Sequence, residues 1–175
     1  RPRFVVVAIV LYHGPAVTHG YPTHEKYIWQ YSERIIMLNV DDLLSALDND
    51  ANESVMDLDW KAVHALKNDM LQKLHFPRET LKAMHKKFKE YRYVDELPDL
   101  RFGAYIRWIP LDGKNAGRLL PGGVVCEVKT DDGIKVVCRN RQHRFFQCTM
   151  GECLIFQKLS DQERVLLSAL DYLHD

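Results

Sequence analysis

The hydrophobic period changes at Arg101, and that change constrains the fold more than any other feature of the chain. Between residues 57 and 91, apolar side chains recur at helical spacing. Beyond Arg101 they alternate, in short runs that read as strands: AYIRWIPL, GGVVCEVK, IKVVCR, RFFQC and CLIFQK. TDDG at 130–133 is a hairpin turn, and the Gly-rich DGKNAGRLLPGG at 112–123 is a longer connection. Five short strands in this space predict an α+β fold built on a small five-stranded SH3-like β-barrel. A helical segment precedes the barrel and a C-terminal helix follows it.

The expected organisation is a strand and loop segment at 1–56, helices over 57–98, and the barrel with its terminal helix at 99–175. FVVVAIVL at 4–11 reads as a strand buried on both faces. A short helix over 40–47 carries Asp41 and Asp42 in its first turn, where acids suit the helix dipole. Leu58, Val63, Leu66, Met70 and Leu74 predict the buried stripe of a helix over 57–74. Leu81, Met84 and Phe88 predict that of a second helix over 77–91, begun at Pro77. Val165, Leu166, Ala169, Leu170 and Leu173 give the terminal helix its buried face, and Ser160 with Glu163 forms a capping-box pattern. No stretch reaches the length of about 18 apolar residues needed to cross a bilayer.

The 24 basic and 24 acidic residues cancel, but unevenly. From Asp41 to Asp59 there are seven acids and no base, whereas residues 101–150 hold nine Lys or Arg against four acids. Such asymmetry suits a polyanion or an acidic partner, as well as an ordinary solvated surface. Cys126, Cys138, Cys148 and Cys153 make no C-x-x-C pair, so they predict small buried residues in strands of a reduced, intracellular protein rather than a zinc site.

Few residues gather into a chemistry. His13, His19 and His24, with Glu25, lie in a loop without the fixed spacing that a metal needs, and neither a metal nor a cofactor is expected. There is no nucleophile elbow and no phosphate-binding loop, so a hydrolase using His13, His19 and a cysteine is the third choice. Phe102, Tyr105 and Trp108 have the composition of an aromatic cage for a methylated cation, although Trp108 is the kind of residue a small barrel buries. The most suggestive run is CRNRQHRFFQC at 138–148. Arg139, Arg141 and Arg144 beside Phe145 and Phe146 combine phosphate-tracking cations with rings that stack on bases, and Lys86 and Lys87 add a basic helix face. Alternation sends only one of the two phenylalanines inward.

EYRYVDEL, FGAYIRWIPL, GGVVCEVK and LSDQERVLLSALDYL, spread over residues 90–173, resemble uncharacterised proteins of large nucleocytoplasmic DNA viruses. That family has no catalytic residues to carry over. The resemblance implies a viral protein made in host cytoplasm and available for packaging in the virion. The leading expectation is therefore a non-catalytic structural or interaction protein, such as a minor capsid component touching other capsid subunits. A nucleic-acid-binding barrel is the alternative.

Overall fold

The computed structural model describes residues 40–174 of the 175-residue chain. The strand expected at 4–11 and the histidine loop lie outside the described residues. Two compact units divide the rest: 61–160, and 40–60 with 161–174.

The smaller unit contains α1 (Val40–Leu47), a 3-10 turn (Asp50–Val55) and α4 (Asp161–His174). Asp41 and Asp42 do sit in the first turn of α1, and Leu43, Ala46 and Leu47 are its buried side. The polar break after it is itself ordered. Asn49 caps the 3-10 turn by accepting from the Ala51 amide, and Gln162 Oε1 of α4 accepts from Asn49 and Asn52. Trp60 Nε1 donates to Ser168 Oγ at 3.1 Å.

The larger unit contains α2 (Trp60–Gln72, whose first residue belongs to the smaller unit), α3 (Arg78–Lys87) and the strands β1 (Tyr91–Val94), β2 (Tyr105–Pro110), β3 (Gly123–Lys129), β4 (Lys135–Arg139), β5 (Phe145–Thr149) and β6 (Cys153–Lys158). The fold is α+β, as expected. The closed five-stranded barrel is not what forms. The sheet has six antiparallel strands in the order β1-β6-β2-β3-β4-β5, and among the described residues no ladder joins β5 to β1. The sixth strand is β1: YRYV at 91–94 lies inside the segment 57–98 expected to be helical, and its first residue, Tyr91, lies in the helix expected over 77–91. Helix α3 stops at Lys87, and from Tyr91 the chain alternates, with Arg92 and Val94 buried and Tyr91 and Tyr93 half-buried.

Each sheet face has its own core. The inner one gathers Val94, Ile106, Trp108, Val125, Val136, Cys138, Cys148 and Ile155, so every strand contributes. The extra residue of a β-bulge, Cys126, shifts the β3–β4 register between Val125 and Glu127. Two consecutive exposed residues result, and the added twist helps curl the sheet round this core. Arg92 is buried there, its Nη2 donating to Asp99 O at 2.5 Å, while Gln157 Oε1 accepts from the Arg101 amide at 2.7 Å.

Helices α2 and α3 cover part of the outer face. Leu71, Met84 and Phe88 pack on Ile109, Leu154 and Phe156, and the Phe88 ring stacks on Phe156 at 4.1 Å. The buried side of α2 is Val63, Lys67 and Leu71, whereas Leu66 is 43% exposed, so the expected stripe is rotated. A buried lysine is the reason. Lys67 Nζ donates to Phe88 O (2.8 Å) and Tyr91 O (3.0 Å), joining α2 to the end of α3 and the start of β1. Its methylenes pack while its cation meets carbonyls at a helix C-terminus, where positive charge is favoured.

Candidate nucleic-acid interface

Where the cover of α2 and α3 ends, the outer face carries a line of side chains across all six strands. The β1–β6 register pairs Tyr91 with Lys158. Ile106 pairs with Gln157, so the next step along β2 and β6 sets Tyr105 opposite Lys158. Tyr105 then pairs with Val124, Val124 with Arg139, and Arg139 with Phe145. Residues paired across strands share a face. The row therefore reads Tyr91, Lys158, Tyr105, Val124, Arg139, Phe145, and at about 4.8 Å per strand it spans about 24 Å. Phe145, at its far end, is 65% exposed.

A pocket of about 520 Å³ opens at the near end of the row, lined by Tyr91, Tyr105, Arg107, Pro121, Gly122, Arg141 and Lys158. Glycine shapes it. The chain at Gly122 lies directly on β2, where a Cβ would stand 2.0 Å from Ile106 O, 2.6 Å from the Tyr105 ring and 2.8 Å from Arg107 Cγ. Arg107 Nε donates to Leu120 O at 3.3 Å, fixing the guanidinium at the edge of the loop. At Gly123 a Cβ would stand 2.7 Å from the Phe146 ring, so this second glycine leaves room for Phe146 to pack near Trp108, with ring centroids 5.2 Å apart.

Arg141 reaches the pocket from the β4–β5 hairpin, whose tip is organised by Asn140. The Asn140 side chain accepts from the Gln142 and Arg144 amides, and its carbonyl accepts from His143, which sits at a positive φ of 59°. Burial, the largest influence, raises the Tyr91 phenol pKa. Nearby Arg107 lowers it, and Tyr105 and Glu90 raise it. Glu90 also meets Lys158 at 3.6 Å.

The opposite end of the same strands is acidic. Asp95 and Glu96, with Leu97, Pro98, Ile134, Met150 and Gly151, line a second opening of about 410 Å³. Asp131, Asp132 and Glu152 flank it in sequence. Lys129 and Lys135 also stand at this end, meeting Glu127 and Asp132, so its acids exceed its bases, whereas the end at Arg107, Arg141 and Lys158 is the one that favours a polyanion.

Of the residues singled out in the sequence, Arg139 and Phe145 lie in the row and Arg141 lines the pocket. Arg144 is exposed on the same hairpin. Phe146 turns inward, so the arginine–phenylalanine run offers one ring rather than two. Lys86 and Lys87 are exposed on the last turn of α3 and do not line the pocket. No aromatic cage forms, because Trp108 is in the inner core, Tyr105 is on the outer face and Phe102 is 61% exposed outside the strands. Tyr91, Arg107 and Lys158 were missed. The alternation of Tyr105 with Arg107 was the available signal for Arg107; the other two depend on pairing distant strands.

Among the described residues no cluster of three or more His, Cys, Asp or Glu could hold a metal, and no helix is long and apolar enough to cross a membrane. The cysteines are free thiols. Burial pushes Cys138 up to about 12 and Cys153 up to about 11, away from the thiolate that nucleophilic chemistry needs. No protein-family model, curated protein or solved structure matches the chain.

Proposed function

We propose that the chain binds single-stranded nucleic acid along the outer-face row. The observation that carries this reading is the sharing of rings and cations along one line across the sheet, half-buried at Tyr91 and Tyr105 and exposed at Arg139 and Phe145. Bases stack on aromatic faces at a cost of about 1–3 kcal/mol per ring removed, and cations follow the phosphates with little regard to sequence. A double helix keeps its bases stacked inside and has less to offer such a row. The meander β2–β5, with β6 returning beside β2, supports reading residues 105–158 as an opened SH3-like barrel extended by β1.

The test is a pair of variants distant from the pocket. Phe145→Ala weakens binding of a single-stranded oligonucleotide by roughly 5- to 100-fold, the loss of one stacking ring. Arg139→Ala weakens binding across sequences and lowers the salt slope by about one unit. Both side chains are exposed, so folding is spared. Unchanged affinity in both variants removes the reading.

A second reading, a virion component that makes protein–protein contacts, is supported by exposed apolar side chains at Phe102 and Leu111 and by the resemblance to giant-virus proteins. It predicts the chain among the proteins of purified particles by mass spectrometry. Its absence from them contradicts that role.

A further inference from the structure

We propose that the pocket between Tyr91, Tyr105, Arg107, Arg141 and Lys158 is a subsite for a phosphomonoester attached to an aromatic ring system, the chemistry of a nucleotide whose phosphate is terminal. This deepens the nucleic-acid reading by naming what occupies the near end of the row.

Charge is the first argument. Three cations line the pocket, Arg107, Arg141 and Lys158. The acid facing them is Glu90, which meets Lys158 at 3.6 Å. The site therefore carries an excess of two positive charges. An internal phosphodiester offers one negative charge, whereas a terminal phosphate offers about 1.5 to 2 at neutral pH, with three acceptor oxygens. The charge count matches the monoester.

Shape is the second. The volume of about 520 Å³ falls within the ~300–1,000 Å³ typical of small-ligand sites. Gly122 holds one wall of it close on β2, since any side chain there would collide with the β2 backbone and with both Tyr105 and Arg107. Arg107 is held at Nε by Leu120 O, which aims its planar fork and leaves the terminal nitrogens for an anion. The two tyrosines supply flat faces for a base. Tyr91 stays neutral far above physiological pH, so its ring does not repel the phosphate.

Two sources share this chemistry: the phosphorylated end of a strand and a free nucleoside monophosphate. Fluorescence anisotropy separates them, using a 15-mer oligothymidylate with a 5′-phosphate, the same strand with a 3′-phosphate, the same strand with hydroxyl ends, and AMP as competitor. One phosphate-ended strand is expected to bind about tenfold tighter than the hydroxyl-ended strand. That preference shrinks towards unity in Arg107→Gln and in Lys158→Gln, the latter a half-exposed side chain whose loss spares the fold. AMP binding without any end preference assigns the pocket to the free nucleotide. Equal affinity for all three strands together with no AMP binding overturns the subsite, while leaving the sheet-face reading intact. Failure of the hydroxyl-ended strand to bind at all removes the sheet-face reading instead, and the AMP and phosphate-ended arms still decide the pocket.

Discussion

Gly122→Ala destabilises the larger unit by about 3 kcal/mol, a fall in Tm of roughly 12–24 °C. The added methyl would stand 2.0 Å from Ile106 O, and that oxygen belongs to the backbone of β2. A flexible side chain could swing aside; a strand near the middle of the sheet cannot. Either the 111–122 connection lifts off β2 or the strand shifts, and both open the pocket that Gly122 shapes. The φ of Gly122 is not in the left-handed region, so the expected loss comes from close approach and not from backbone strain. Gly117 is the useful control. Its φ of 72° strains an alanine, but a Cβ there meets only the edge of the Phe76 ring at 3.6 Å. Thermal melts of the two variants should rank Gly122→Ala well below Gly117→Ala. The reverse order contradicts the packing described for β2.

Stability is also expected to collapse at alkaline pH. Burial raises the thiol pKa of Cys138 from 9.0 to about 12, that of Cys153 to about 11, and that of Cys148 upward as well. Burial, aided by Asp95, lifts the Tyr93 phenol from 10.0 to about 12. For each of these groups the folded chain keeps a proton that the unfolded chain releases. Their contribution is intact below pH 9 for the thiols and below pH 10 for the phenol, and it is lost as pH climbs towards the folded values. Lys67 runs the other way. Its pKa is lowered by burial, so the folded chain sheds that proton first and this one group gains stability up to pH 10.5. Several acids outweigh one base. Cys138 and Cys148, both well buried, together cost about 3 kcal/mol between pH 9 and pH 10.5. Urea melts at pH 7, 9 and 10.5 should show a midpoint that falls steeply above pH 9, and Cys148→Ala should flatten the fall by about half of that amount. A midpoint independent of pH across this range contradicts the burial of these thiols.

The strands after Arg101 were legible because each buries one face and alternates. AYIRWIPL put Ile106 and Trp108 on one side and Tyr105 and Arg107 on the other, as found. Three features were hidden, each for a physical reason. Strand β1 follows α3 after only three residues, so YRYV looked like more helix. The buried face of α2 includes Lys67, which an apolar stripe cannot reveal because two backbone carbonyls hold its ammonium group. Gly122 and Gly123 looked like a turn, but their lack of side chains matters through contacts with Ile106, Arg139 and Phe146, all distant in sequence. The candidate site was half visible for the same reason. Arg139, Arg141 and Phe145 come from one hairpin and stood out together. Tyr91 and Lys158 join them only through the pairing of β1, β6 and β2.

The chain is neutral as a whole, but the sheet separates its charges in space. Acids gather beside the turns after β1, β3 and β5, while bases gather where β4 ends and β5 begins, beside Arg107 and Lys158. Attraction between exposed charges falls off over a Debye length of about 8–10 Å at ordinary salt. A ligand on the row is therefore governed by the basic end, with the acidic end several residues away along each strand.

The most direct test of the account is fluorescence anisotropy of the full chain with random-sequence single- and double-stranded oligonucleotides, stepped from about 50 to 200 mM salt. Four cations on the row and pocket, Arg107, Arg139, Arg141 and Lys158, imply a loss of about 50-fold in single-strand affinity over that range. That loss is the expected result, with single strands bound more tightly than duplex at every step. No binding of single strands at 50 mM, or affinity indifferent to salt, contradicts it.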